Sequence, residues 1–145
     1  MKIKIKVIEG GMLPVYKTSG AACADCYARV DYAKNGITIP PGCRALIPLG
    51  FAIELPDGYE AVIRPRSGLT SKYIDEPIGT IDCDYRGEVK GCIINNTGSE
   101  ITINNHDRIC QMKIQEAKQF EFEQVDELSE TERSDKGFGS TGLNN

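Results

Sequence analysis

Two aspartates, a tyrosine and an arginine crowd the segment Gly79-Thr80-Ile81-Asp82-Cys83-Asp84-Tyr85-Arg86-Gly87-Glu88-Val89. A carboxylate in its ionised form can orient and deprotonate water. An aromatic side chain close behind it offers a face for a ring-bearing substrate. A turn uses the glycine and tolerates the aspartates, but it makes no demand for Tyr85 or Arg86. The segment is a polar hairpin between two apolar strands, and either it only turns the chain or it also carries chemistry.

Four other stretches have residue types suited to anions or metals. In Ile63-Arg64-Pro65-Arg66-Ser67-Gly68-Leu69 a strand meets a short helix. Free N–H groups at a helix start and a forked guanidinium both suit phosphate. A capped helix with solvated arginines would explain Ser67, though not Arg66 and Gly68 together. The Walker pattern GxxxxGK[ST] is absent. Gln111 interrupts the apolar run Arg108-Ile109-Cys110-Gln111-Met112. Its amide either contacts an oxyanion or faces a sheet edge. Asp25 sits among small residues in Ala21-Ala22-Cys23-Ala24-Asp25-Cys26-Tyr27-Ala28. It could hydrogen-bond a basic neighbour or hold metal-bound waters. Near the end, Gly137-Phe138-Gly139-Ser140-Thr141-Gly142 sets one aromatic ring among glycines, with Arg133 and Lys136 just before it. Such a ring can stack on a base, and glycine N–H groups can turn toward anionic oxygens. A solvated linker has the same composition.

The elements that must position these residues are mostly strands. Short apolar or alternating runs fall at 2–8, 37–39, 43–48, 51–55, 59–64, 79–83, 88–94, 100–104, 108–115 and 119–123. Between them lie Gly10-Gly11, Asn35-Gly36, Pro40-Pro41-Gly42, Pro56-Asp57-Gly58 and Asn95-Asn96-Thr97-Gly98. That rhythm predicts an all-β sandwich or barrel. Residues 67–73 break it with a couple of helical turns, which Ser67 could cap. Residues 1–124 form the β-rich catalytic domain. Residues 125–145, acidic and then glycine-rich, form a flexible C-terminal arm with too little apolar surface to order itself.

Composition narrows the function. A chain of 145 residues is long enough for one domain with a proper core. Its net charge of −4 argues against coating nucleic acid. His106 is the single histidine, which removes histidine-rich metal centres. No apolar run reaches membrane-span length, and the alternating start Met1-Lys2-Ile3-Lys4-Ile5-Lys6-Val7 is unlike a signal peptide. The six cysteines then point to a reducing compartment, the cytoplasm or another intracellular one. Cys23-Ala24-Asp25-Cys26 is a CxxC pair without a second close pair of ligands, so these thiols read as small, half-buried residues.

In order along the chain, the five segments resemble the five motifs of the trimeric dUTPase family. They run from Ala21–Ala28, through Pro65–Leu69 with Lys72, Gly79–Val89 and Arg108–Gln111, to Arg133–Gly142. The resemblance implies a jelly-roll-like fold and a homotrimer with sites at subunit interfaces. It implies Mg²⁺-dependent hydrolysis of dUTP to dUMP and pyrophosphate, which limits uracil in DNA and supplies dUMP for dTMP synthesis. Asp82 would be the base, Tyr85 would lie under the deoxyribose, and Thr80, Ile81 and Lys90 would pair with uracil. Arg66, Ser67, Gly68 and Gln111 would hold the phosphates. Arg133 would reach the γ-phosphate, supported by Gly139, Ser140 and Thr141, and Phe138 would stack on the base. Asp25 would meet the metal through water. Departures are Cys23 and Cys26 in place of the usual Gly and Leu, and Ser134 and Lys136 in place of glycines. Glu76 stands where some relatives carry a substrate-contacting Asn. Two alternatives are a dCTP deaminase-like enzyme and a non-catalytic dUTP-binding regulator on the same fold.

Overall fold

The computed structural model describes residues 1–131 and Ser134. Arg133, Phe138, Gly139, Ser140 and Thr141 lie outside the described residues, as does most of the proposed arm.

The order of elements is β1 (Lys4–Val7), β2 (Ala24–Tyr27), β3 (Ile37–Ile39), β4 (Arg44–Pro48), β5 (Phe51–Glu54), β6 (Tyr59–Arg64), α1 (Ser67–Thr70), β7 (Ile74–Asp75), β8 (Gly79–Ile81), β9 (Lys90–Asn95), β10 (Ile101–Ile103) and β11 (Arg108–Glu116). The protein is all-β and jelly-roll-like, with one short helix after Arg66. A four-stranded sheet has the order β2-β11-β6-β8, and a three-stranded sheet the order β4-β9-β7. Two ribbons, β1-β5 and β10-β3, accompany them. The named pairings are antiparallel.

Alternation places the core. In β9, Gly91, Ile93 and Asn95 are buried while Lys90, Cys92 and Ile94 are less so. Ile47, Leu49, Phe51, Ile63, Ile93 and Ile109 are among the fully buried residues between the sheets. Asn95 is buried too, and its hydrogen bonds explain why it is tolerated. Its amide donates to Ile39 O and Ser99 O, both at 2.8 Å, and its Oδ1 accepts from Thr97 N at 2.9 Å.

Several expectations are corrected. Gly79–Val89 is not a hairpin: β8 pairs with β6, whereas β9 pairs with β4 and β7. The segment therefore crosses from one sheet to the other. Helix α1 is a single turn, and Ser67 does not cap it. The capping position is Arg66, extended at φ −97° and ψ 128°, with no side-chain cap. Tyr73, at φ 60°, ends the turn that follows. Residues 119–123 alternate like a strand but form none. No described strand pairs with them, and Phe122 is 100% exposed. The apolar runs of the sequence do not include β2 or β7, because β2 is four residues with no apolar–polar contrast in its burial and β7 has only two positions.

Candidate active site

Strand β11 is the spine of the phosphate-type residues. Gln111 faces Asp25 of β2 on one side and Arg64 of β6 on the other. It is therefore on an inner strand, not at an edge. Its Nε2 donates to Pro65 O at 2.8 Å, which fixes the chain as it leaves β6 toward Arg66. Asp25 is 13% exposed and ion-paired twice, its Oδ1 3.3 Å from Arg66 Nε and its Oδ2 3.0 Å from Arg108 Nη1. Arg66 also donates through Nη1 to Arg108 O at 2.6 Å. Three segments far apart in sequence thus hold one guanidinium. A depression of about 700 Å³ opens beside it, with Lys17, Arg66 and Arg108 on its walls. Ser67 and Gly68 are exposed at its helix side. A methyl group added at Gly68 would meet nothing within 4 Å, and its φ is not positive. The chain's own packing therefore gives no reason for glycine there, whereas close approach by a ligand or partner would.

The second group lies on the crossover. Thr80, Ile81, Asp82, Tyr85 and Lys90 line a depression of about 270 Å³ together with Glu88 and Val89. Ile81 is buried, while Thr80, Asp82, Tyr85 and Lys90 are exposed. The Tyr85 amide donates to Asp82 O at 3.2 Å, and Arg86 Nη1 donates to Cys83 O at 2.6 Å. The loop is thereby closed on itself between the base candidate and the ring. Asp84 lines a second groove with Asp57 and Phe120, and Asp82 borders both.

One chain does not bring the two groups together. Gly79 is opposite Ile63 and Ile81 opposite Ala61. Asp82 therefore leaves at the Glu60 end of β6, and Arg66 lies beyond the other end. At about 3.3 Å per residue the two are on the order of 20 Å apart. That exceeds the reach of a triphosphate, so a single chain holds two half-sites.

Four residues near these half-sites, Arg108, Arg29, Glu88 and Glu76, were given no functional role from the sequence. Arg108 was visible within its motif, but its link to Asp25 needed the β2–β11 register. Arg29 and Glu88 pair across the fold, with Nε–Oε1 at 2.8 Å and Nη2–Oε2 at 2.9 Å. The fork holds the Glu88 carboxyl below the usual range and raises Arg29. No sequence spacing announces that contact. Glu76 is buried at 5% exposure. Burial pushes its carboxyl up to about 7, partly offset by a hydrogen bond from Cys92 N. Its other oxygen, Oε2, has no partner. Cys110 is raised chiefly by its contact with Cys26, then by burial. That keeps the Cys110 thiol in this inner layer unreactive.

Among the described residues no group of three or more His, Cys, Asp or Glu could hold a metal. Asp25 is a single carboxylate with both oxygens on guanidinium groups. This donor set does not fit a cation held directly by the protein.

Fold and site together define an all-β, jelly-roll-like protein with a guanidinium cluster at Arg66 and Arg108 and, apart from it, a depression lined by Asp82 and Tyr85. The dUTPase family model matches residues 10–142, and the chain belongs to that family. A deoxyuridine 5'-triphosphate nucleotidohydrolase of Finegoldia magna is 47% identical over 145 residues, covering 98% of this chain and 99% of its own length. One from Caldanaerobacter subterraneus subsp. tengcongensis is 48% identical over 148 residues, covering 97% of each. Among solved structures, the Staphylococcus bacteriophage 80alpha dUTPase with dUPNHPP superposes with a TM-score of 0.88 at 24% identity, covering 98% of this chain and 99% of the phage chain. A mutant dUTPase from phage phi11 of S. aureus, described with a structural Mg(II) ion, gives 0.81 at 21% identity, covering 90% of this chain and 100% of its own.

Proposed function

We propose that this chain hydrolyses dUTP to dUMP and pyrophosphate. The observation that carries the reading is Asp82 on the rim of the Tyr85–Lys90 depression, beside β8, the end strand of its sheet. Asp82 takes a proton from water, the water oxygen bonds to the α-phosphorus, and the bond to the α–β bridging oxygen breaks with pyrophosphate leaving. Thr80, Ile81 and Lys90 read uracil, and the Tyr85 ring leaves no room for a ribose 2′-hydroxyl. Arg66, Ser67, Gly68 and Gln111 hold the phosphate chain. Arg133, Gly139, Ser140 and Thr141 complete its grip, and Phe138 closes over the base. Asp25 would hold Mg²⁺ through water, and the ion would supply charge neutralisation to the triphosphate.

The working unit in this reading is a homotrimer that joins the half-sites of different chains. Two features support it. The half-sites lie at opposite ends of β6 in one chain, and Phe120 and Phe122 are 75% and 100% exposed. All six cysteines are free, which suits a cytoplasmic setting. The test is a panel of dUTP, dCTP, dTTP and UTP with Mg²⁺, scored for pyrophosphate and ammonia. Pyrophosphate from dUTP alone is the expected result, and ammonia from dCTP would overturn it.

A further inference from the structure

The crossover that carries Asp82 and Tyr85 has no strand partner along its middle, so something else must hold it. Three contacts fix the Tyr85 ring. Its hydroxyl donates to Glu88 O at 3.2 Å. Its edge lies over Gly87, where an added Cβ would come within 2.3 Å of Oη. The Tyr85 amide closes on Asp82 O. The ring therefore goes where residues 87 and 88 go.

Residue 88 is held by its own side chain. The Glu88 carboxylate accepts from Arg29 Nε at 2.8 Å, Arg29 Nη2 at 2.9 Å and Gly50 N at 3.0 Å. Both side chains are about one-fifth exposed, Arg29 at 19% and Glu88 at 20%. The Arg29 stem is itself packed: a Cβ at Gly50 would meet its Cδ at 3.1 Å. The Arg29 amide is tied to Pro48 O at 2.7 Å. A planar fork with two parallel bonds fixes angle as well as distance, which a point charge does not.

We propose that Arg29, acting through Glu88, is a positioning residue for Tyr85 and so for the choice between deoxyribose and ribose. The proposal rests on the role given to Tyr85 above. Arg29 touches no reacting atom. It sets the height and tilt of the surface on which the sugar is judged. Loosening it leaves the chemistry at Asp82 available and admits the larger sugar.

Two variants and two readouts test this. In Arg29→Met the stem is kept and the fork removed; in Arg29→Lys one donor remains. The first readout is the ratio of kcat/KM for dUTP to that for UTP. It should fall about tenfold or more in Arg29→Met and less in Arg29→Lys, with kcat on dUTP within a few-fold of wild type. The second is amide exchange at Tyr85 and Val89, which should quicken by roughly tenfold in Arg29→Met whatever the protein hydrolyses. A wild-type protein inactive on dUTP would sink the functional reading and leave the exchange result to judge the loop. An unchanged ratio in both variants of an active enzyme, or unchanged exchange in Arg29→Met, overturns the positioning role. Should Arg29→Met fail to fold, Arg29→Lys carries both measurements with the same overturning result.

Discussion

Asp25 and Arg66 form an ion pair across two strands that do not touch each other directly. Asp25 is on β2, Arg66 follows β6, and β11 lies between them. The guanidinium is therefore aimed before any anion arrives, with Arg108 holding the other carboxylate oxygen. Preorganised charge lowers the ordering cost of binding.

Asp25→Asn should release that aim. Arg66 keeps its bond to Arg108 O but loses its counter-charge. KM for dUTP is expected to rise about tenfold with a smaller fall in kcat, and stability to drop by about 1–3 kcal/mol. Steady-state kinetics and denaturant midpoints check the two halves. An unchanged KM would remove Asp25 from the phosphate side.

Asp82→Asn keeps the shape of the crossover and removes the proton acceptor. Hydrolysis of dUTP should fall by at least about a hundredfold, while a non-hydrolysable dUTP analogue binds as before. Calorimetric titration beside a pyrophosphate assay separates the two. Ready turnover by the Asn variant would send the search for a base elsewhere on the rim.

How much of this could be read from residues alone depends on how local the physics is. Strand runs such as Tyr59–Arg64 and Arg108–Glu116 carry their own alternation and turn signals, so they were legible. Ala24–Tyr27 was not, because four residues, with Ala24, Cys26 and Tyr27 buried around one Asp, carry too little periodic contrast. The opening segment was placed correctly between two strands, yet a hairpin was expected where the chain crosses between sheets. Whether flanking strands pair is decided by their partners β6, β4 and β7, which no local pattern reveals. The same holds for the site. Asp82, Tyr85 and Arg66 stand out by type and spacing. Arg108 and Arg29 act through contacts with Asp25 and Glu88, 83 and 59 residues away.

Glu76 gives the fold a pH dependence of unusual sign. Its carboxyl moves from 4.5 to about 7 on folding, because burial penalises the charge. The folded state therefore binds the proton more tightly than the unfolded one. The contribution is fully present below about pH 4.5 and is lost as pH rises through about 7. Nearby Cys110 stays a neutral thiol in this range and does not offset it. Glu76→Gln keeps an acceptor for Cys92 N and cannot ionise. It should match wild type near pH 4 and exceed it at pH 8, by on the order of 3 kcal/mol. Denaturant midpoints across that span measure it. Parallel pH curves for the two proteins would show that Glu76 is not desolvated.

The separation of the half-sites leads to the sharpest test of assembly. Asp82→Asn and Arg66→Ala should each be inactive alone, since one lacks the base half and the other the phosphate half. If each site joins halves from two chains, mixed assemblies contain some sites with both halves intact. Unfolding the two variants together and refolding them at equal ratio should restore about a quarter of wild-type turnover, because each site draws its halves independently. Sites built within one chain would restore none, whatever the mixing. A serine at both Phe120 and Phe122 should then lower the mass seen by light scattering and abolish the recovery. Recovery with unaltered mass would show that these rings are not what joins the chains.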